Sequence, residues 1–134
     1  MTIFRTTERP TRIGEGDAFT GFVQLDPIIG ADPAGLVALS VTFAPGARTH
    51  WHTHERGQTL HVTRGAGLYA ERGQPPRRIT AGDTVWIAPG LEHWHGAAPD
   101  TGMTHIAMQA CESGSGTNWL EPVVDSDYVA ATTQ

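Results

Sequence analysis

Apolar and polar residues alternate along this chain in short bursts, separated by glycine and proline. From Leu36 to Phe43, the side chains of Val37, Leu39, Val41 and Phe43 fall on one face and those of Ala38, Ser40 and Thr42 on the other. That is the period of a half-buried strand. Further strands are predicted at Gly21–Leu25, closed by Asp26-Pro27, at Thr59–Thr63, at Thr84–Ala88 and from Met103 to Ala110. Turn signals lie between them at Asp32-Pro33-Ala34-Gly35, Ala44-Pro45-Gly46, Arg64-Gly65-Ala66-Gly67, Ala81-Gly82-Asp83 and Pro89-Gly90. Leu68-Tyr69-Ala70 and Arg77-Arg78-Ile79 flank a polar tip, as in a hairpin. Only Asp125–Ala131 reads as helix, with Asp125 as its cap. The first eighteen residues are polar and broken by Pro10 and Gly14-Glu15-Gly16, which predicts an arm carrying an edge strand near Ile3-Phe4. Strands at such short, regular spacing predict an all-β sandwich or barrel.

Composition narrows this picture. With 134 residues the chain holds one domain, and 16 glycines with 9 prolines argue against a helix bundle. A net charge of −5 gives no electrostatic footprint for nucleic acid or anionic lipid. The single cysteine, Cys111, closes no intrachain disulfide, and with no basic neighbour in sequence it reads as an inert thiol. No stretch approaches the roughly 18 apolar residues of a membrane span, and Met1–Arg5 lacks the apolar run of a secretory signal. The expected location is the cytoplasm.

The histidines carry the chemistry. Five of seven fall in two clusters, His50-Trp51-His52-Thr53-His54 and His93-Trp94-His95. Residues two apart on a strand share a face about 6.6 Å apart, so His52 and His54 can chelate one ion. His93 can bring a third nitrogen from a distant strand, and Gln58 an amide oxygen. Such a set leaves coordination positions open on a divalent ion, as catalytic sites do. Alternating histidines on a solvated edge strand are the competing reading. His50 is expected at the strand mouth in solvent, and His61 in an ordinary strand. Trp51, Trp86 and Trp94 are expected as core or dimer-contact residues.

The glycine spacing decides between these readings. Gly46, five residues, His52-Thr53-His54, three residues, Gln58, six residues and Gly65 reproduce the first cupin motif, with Gln58 in place of the usual glutamate. Gly82, Pro89-Gly90 and His93 resemble the second motif, with the proline one place late and Ala97 where asparagine is usual. The chain also resembles the small bacterial monocupins that act as manganese-dependent hydroxynitrile lyases. That likeness rests on Phe19-Thr20-Gly21, Asp26-Pro27, Pro45-Gly46-Ala47-Arg48, Trp51-His52-Thr53-His54, Gly57-Gln58-Thr59-Leu60, His93-Trp94-His95-Gly96-Ala97-Ala98-Pro99, Met103-Thr104-His105 and Gln109. Leu39 and His50 depart from it, each replacing a smaller residue.

The resemblance implies a single cupin jelly-roll β-barrel over residues 19–112, an arm over 1–18, and a C-terminal tail with a short helix over 113–134. It implies a divalent metal held by His52, His54, Gln58 and His93, with manganese foremost and iron, nickel or zinc as alternatives. His95, His105 and Gln109 would line the pocket. His95 or His105 would exchange protons with a cyanohydrin or another carbonyl-derived small molecule. An iron dioxygenase and a non-enzymatic metal- or small-molecule-binding module remain open alternatives, because one fold hosts many chemistries. A homodimer or higher homo-oligomer is expected, with the arm adding a strand to a partner's sheet.

Overall fold

Alternation with a period of two buries one face of each strand, and the fold wraps those faces around one interior. The computed structural model describes residues 1–30, 35–110 and 116–133. Its strands are β1 (Arg12–Ile13), β2 (Phe19–Thr20), β3 (Val23–Ile29), β4 (Leu36–Phe43), β5 (Arg48–Thr49), β6 (His52–His54), β7 (Gln58–Glu71), β8 (Arg77–Thr80), β9 (Thr84–Ile87), β10 (His93–Ala97), β11 (Met103–Ala110) and β12 (Thr117–Trp119), followed by helix α1 (Asp125–Thr132). All pairings are antiparallel. One sheet holds β1, β3, β4, β11, the first half of β7 and β9. The other holds β2, β5, β10, β6, β12, the second half of β7 and β8. This is a single-domain all-β barrel of jelly-roll type.

Strand β7 belongs to both sheets. The turn expected at Arg64–Gly67 is a bend inside one continuous strand. Gly65 has φ +75°, and a Cβ there would stand 1.9 Å from the Gly102 carbonyl oxygen. Only glycine admits both the left-handed backbone and that close approach.

Phe43, Leu60, Val62, Ile87 and Met103 fill the interior between the sheets. A second cluster forms outside, where Tyr128 and Ala131 of α1 cover Leu68, Ala70 and Trp94. Buried Arg48 ties the helix down. It donates to the Val123 carbonyl and to Asp125, and its guanidinium lies 4.4 Å over the Tyr128 ring. Tyr128 donates to the Ala97 carbonyl at 2.6 Å.

Several expectations need correcting. Ile3 and Phe4 are exposed and form no strand. The edge strand is instead β1, inside the segment expected as an arm, and its two exposed residues gave no alternation to read. Strand β3 runs on past Asp26-Pro27 to Ile29, through an irregularity after Pro27 that an edge-lying proline tolerates. Val124, not Asp125, is the helix N-cap; Asp125 is the first helical residue, and its carboxylate faces Arg48. The segment expected as a tail contributes β12 to the barrel. The turn residues Asp32-Pro33-Ala34 and the thiol of Cys111 lie outside the described residues.

Candidate metal centre

Strand parity brings the histidines together. His52 and His54 alternate with half-buried Thr53 on β6, and His93 and His95 alternate with Trp94 on β10. The pairing of His93 with His52 sets the two short strands side by side. Ring centroids stand 4.9 Å apart for His52 and His54, 4.1 Å for His52 and His93, and 5.3 Å for His54 and His93. All three are buried, as are Gln58, His95 and His105.

Each of the three rings has its Nδ1 opposite an oxygen. His52 Nδ1 lies 2.9 Å from the His50 carbonyl, His93 Nδ1 2.9 Å from the Leu91 carbonyl, and His54 Nδ1 3.2 Å from Thr117 Oγ1. A carbonyl can only accept, so His52 and His93 carry their protons on Nδ1 and present Nε2 as a lone pair. The Nε2 atoms of His54 and His93 and the Oε1 atom of Gln58 are buried without a hydrogen-bond partner. Buried polar atoms left in that state call for an occupant. Gln58 is oriented for the same purpose: its Nε2 donates to Gln109 Oε1 at 2.9 Å, which leaves its oxygen free. Three neutral nitrogens and one amide oxygen are donor types that suit a divalent cation.

Burial holds every one of these imidazoles neutral near pH 7. Desolvation lowers the His54 pKa from its ordinary 6.5 to about 4, with the neighbouring His93 adding to the effect. Burial, then the adjacent histidines, puts His52 well below 6.5, and burial lowers His93 as well. A ligand must be deprotonated at the donor nitrogen, and these already are.

His95 stands closer than expected. One nitrogen each from His52, His93 and His95 lie within 4.8 Å of one another, so His95 is within reach of a shared ion. Its Nδ1 is 3.0 Å from His105 Nε2, and its own Nε2 is buried without a partner. A histidine neighbour can accept or donate, so this bond leaves the His95 tautomer open, unlike the bonds that hold His52 and His93. Burial, reinforced by His105, holds His95 well below 6.5, and burial takes His105 to about 4.

The site opens to a cavity of about 120 Å³ whose apolar walls include Phe19, Leu39, Val41 and Trp119. Leu39 projects into it, as strand parity predicts. Among the described residues no carboxylate lines this cavity. A larger outer groove of about 650 Å³, lined by Tyr69, Glu71, Arg77 and Trp86 among others, holds none of the histidines.

His50, expected in solvent, is buried. Its backbone N–H bonds Ala18, and the 119–121 segment lies along its neighbour Trp51. His61 sits on the outer face against Thr84. Trp94 is core; Trp51 is half-buried with Arg72 stacked 3.9 Å over its ring, whereas Trp86 is 62% exposed and part of no core. Sequence reasoning missed Thr117 and Trp119, the latter with its ring 4.7 Å from that of His52. Their three-residue strand is too short to show a period, and its partner β6 lies far away in sequence.

Comparison with known proteins identifies the family and the fold. The sequence model of the cupin domain matches residues 39–108. The chain is 49% identical over 129 residues to the (R)-mandelonitrile lyase of Granulicella tundricola, covering 96% of this chain and 98% of that protein. It is also similar to the solved structure of a cupin-like protein from Thermotoga maritima, with a TM-score of 0.87 and 41% identity over 98% of both chains. The polyketide cyclase RemF of Streptomyces resistomycificus shares the fold at a TM-score of 0.74 and 18% identity, covering 96% of this chain and 90% of that one.

Proposed function

The chain belongs to the cupin family, and from that premise we propose that it is a metal-dependent hydroxynitrile lyase, cleaving a cyanohydrin to an aldehyde and hydrogen cyanide and running the reverse addition. One observation carries the reading: the rings of His52, His54 and His93 stand within 5.3 Å of one another by centroid, beside an apolar cavity that His52, His54 and Gln58 line, and His54 Nε2, His93 Nε2 and Gln58 Oε1 are buried and unpartnered. The nearly full-length likeness to a mandelonitrile lyase supports the choice of reaction.

His52, His54, Gln58 and His93 would hold the ion. His95 is left out because its Nδ1 is paired with His105, an arrangement suited to proton exchange. When bound, a divalent cation, manganese foremost, supplies Lewis acidity, and the neutral donor set leaves its +2 charge undiminished. The protein's own groups handle the proton. With its Nδ1–H donated to His105, His95 presents a bare Nε2 toward the cavity and can take the cyanohydrin hydroxyl proton. The C–C electron pair leaves with cyanide as the carbonyl forms, and His95 then returns the proton to cyanide. Burial lowers its pKa and so keeps it unprotonated near neutral pH. His105 accepts the Nδ1 hydrogen bond throughout and stabilises the transient imidazolium. Leu39, Val41 and Trp119 exclude water and favour a small or flat apolar substituent.

The test pairs metal analysis with mandelonitrile cleavage. The expected result is one divalent ion per chain and release of benzaldehyde by the parent, with most metal lost in His54→Ala and His93→Ala. Full metal occupancy in both variants rejects the ligand assignment; a metal-loaded parent that releases no aldehyde rejects the reaction. The same reading includes a homodimer. Ile13 of the edge strand β1 and, earlier in the chain, Ile3 and Phe4 are each more than half exposed, apolar surface that a second copy would cover. Light scattering should give twice 14.4 kDa, and a 14.4 kDa species at micromolar concentration rejects it.

A further inference from the structure

We propose that Thr117, outside the segment 39–108 matched by the family, is a positioning residue that orients two metal ligands at once. The inference rests on the metal reading above. Its hydroxyl oxygen lies 3.2 Å from His54 Nδ1 and 3.4 Å from Gln109 Nε2. Gln109 in turn accepts from Gln58 Nε2 at 2.9 Å through its own carbonyl oxygen. One hydroxyl thus stands at the head of two chains of hydrogen bonds.

A hydroxyl can donate or accept; along the first chain the proposed direction is from His54 Nδ1–H to Thr117 Oγ1, which places the proton on Nδ1 and leaves Nε2 bare. Along the second, an oxygen that accepts the Gln109 amide N–H fixes which end of that amide faces Gln58. The Gln109 carbonyl then receives the Gln58 N–H, and Gln58 Oε1 is turned into the site. Both resulting donor atoms, His54 Nε2 and Gln58 Oε1, are buried and unpartnered. His52 and His93 need no such help, because main-chain carbonyls hold them. The side-chain-held half of the donor set is therefore the half that depends on Thr117. The residue is placed by the pairing of Thr117 with His54 across β12 and β6. Partners of this kind typically change metal affinity 10- to 100-fold when lost.

The experiment compares the parent with Thr117→Val, which keeps shape and loses the hydroxyl, and Thr117→Ser, which restores it. Titration with Mn²⁺ should show Thr117→Val binding about 10- to 100-fold more weakly and Thr117→Ser within about threefold of the parent. Nitrogen-15 NMR of the metal-free proteins gives a readout that needs no metal. His54 should carry its proton on Nδ1 in the parent and in Thr117→Ser, and lose that preference in Thr117→Val. Equal Mn²⁺ affinity in parent and Thr117→Val overturns the inference whatever the tautomer. Should Thr117→Val fail to fold, a Thr117→Ser protein that binds as weakly as His54→Ala overturns it too. A parent with the expected tautomer but no affinity for any divalent ion overturns the metal reading instead.

Discussion

A neutral imidazole ligates only through the nitrogen that lacks a proton, so the atom opposite the other nitrogen decides whether a histidine can serve at all. That rule separates residues of one type within this barrel. His52 and His93 face carbonyls, His54 faces a hydroxyl, and His95 faces another histidine. A carbonyl can only accept and so fixes the first two, whereas a hydroxyl or an imidazole can donate or accept. Under the proposed function His54 joins His52 and His93 as a ligand and His95 exchanges the proton. Replacing His95 by alanine should therefore leave metal content largely intact and lower cyanohydrin turnover about a hundredfold or more. Metal analysis beside a cleavage assay checks both halves, and unchanged turnover would transfer the role to His105. Gln58 illustrates the same economy in an amide, where one end is spent on Gln109 so that the other is available.

Among the elements, β7 has the most to lose from a single atom. Adding a methyl group at Gly65 would combine a strained φ with a 1.9 Å approach to a main-chain oxygen, and neither can relax without parting β7 from β11. Gly65→Ala should cost more than about 2 kcal/mol, read as a fall in the denaturation midpoint in urea. The same glycine shows where sequence reading reaches its limit. A positive-φ glycine looks alike in a turn and in a strand that bends between sheets, and only the distant pairing with Met103 tells them apart. Strands β4 and β11 were legible because each buries one face, so that Val37, Leu39, Val41 and Phe43 alternate cleanly. Strands β1 and β12, two and three residues long, had no period to show. That His52, His54, Gln58 and His93 are buried together in the barrel was legible from glycine and histidine spacing. Thr117, Trp119 and the burial of His50 were not, because each depends on a segment that returns from the far end of the chain.

The whole molecule feels the histidines through its stability. Five buried imidazoles have pKa values lowered by desolvation, two of them from 6.5 to about 4. Above pH 6.5 neither the folded nor the unfolded chain protonates them. As pH falls below 6.5 the unfolded chain takes up protons that the folded protein resists, so stability is lost until about pH 4, where folded His54 and His105 also titrate. Each group contributes up to about 1.4 kcal/mol of lost stability per pH unit in that window. Thermal melts of the metal-free protein should show Tm dropping steeply between pH 6.5 and pH 4; a flat profile would contradict the neutral, buried state of these rings. The return of β12 to β6 also bears on how the protein is made. His54 and Thr117 are 63 residues apart, and a ribosome adds about 5–20 residues per second. For roughly 3 to 13 seconds after β6 emerges in its order of synthesis, His52 and His54 exist without the strand that closes over them. A nascent chain in that interval is a half-built site, open to whichever cation or chaperone reaches it first.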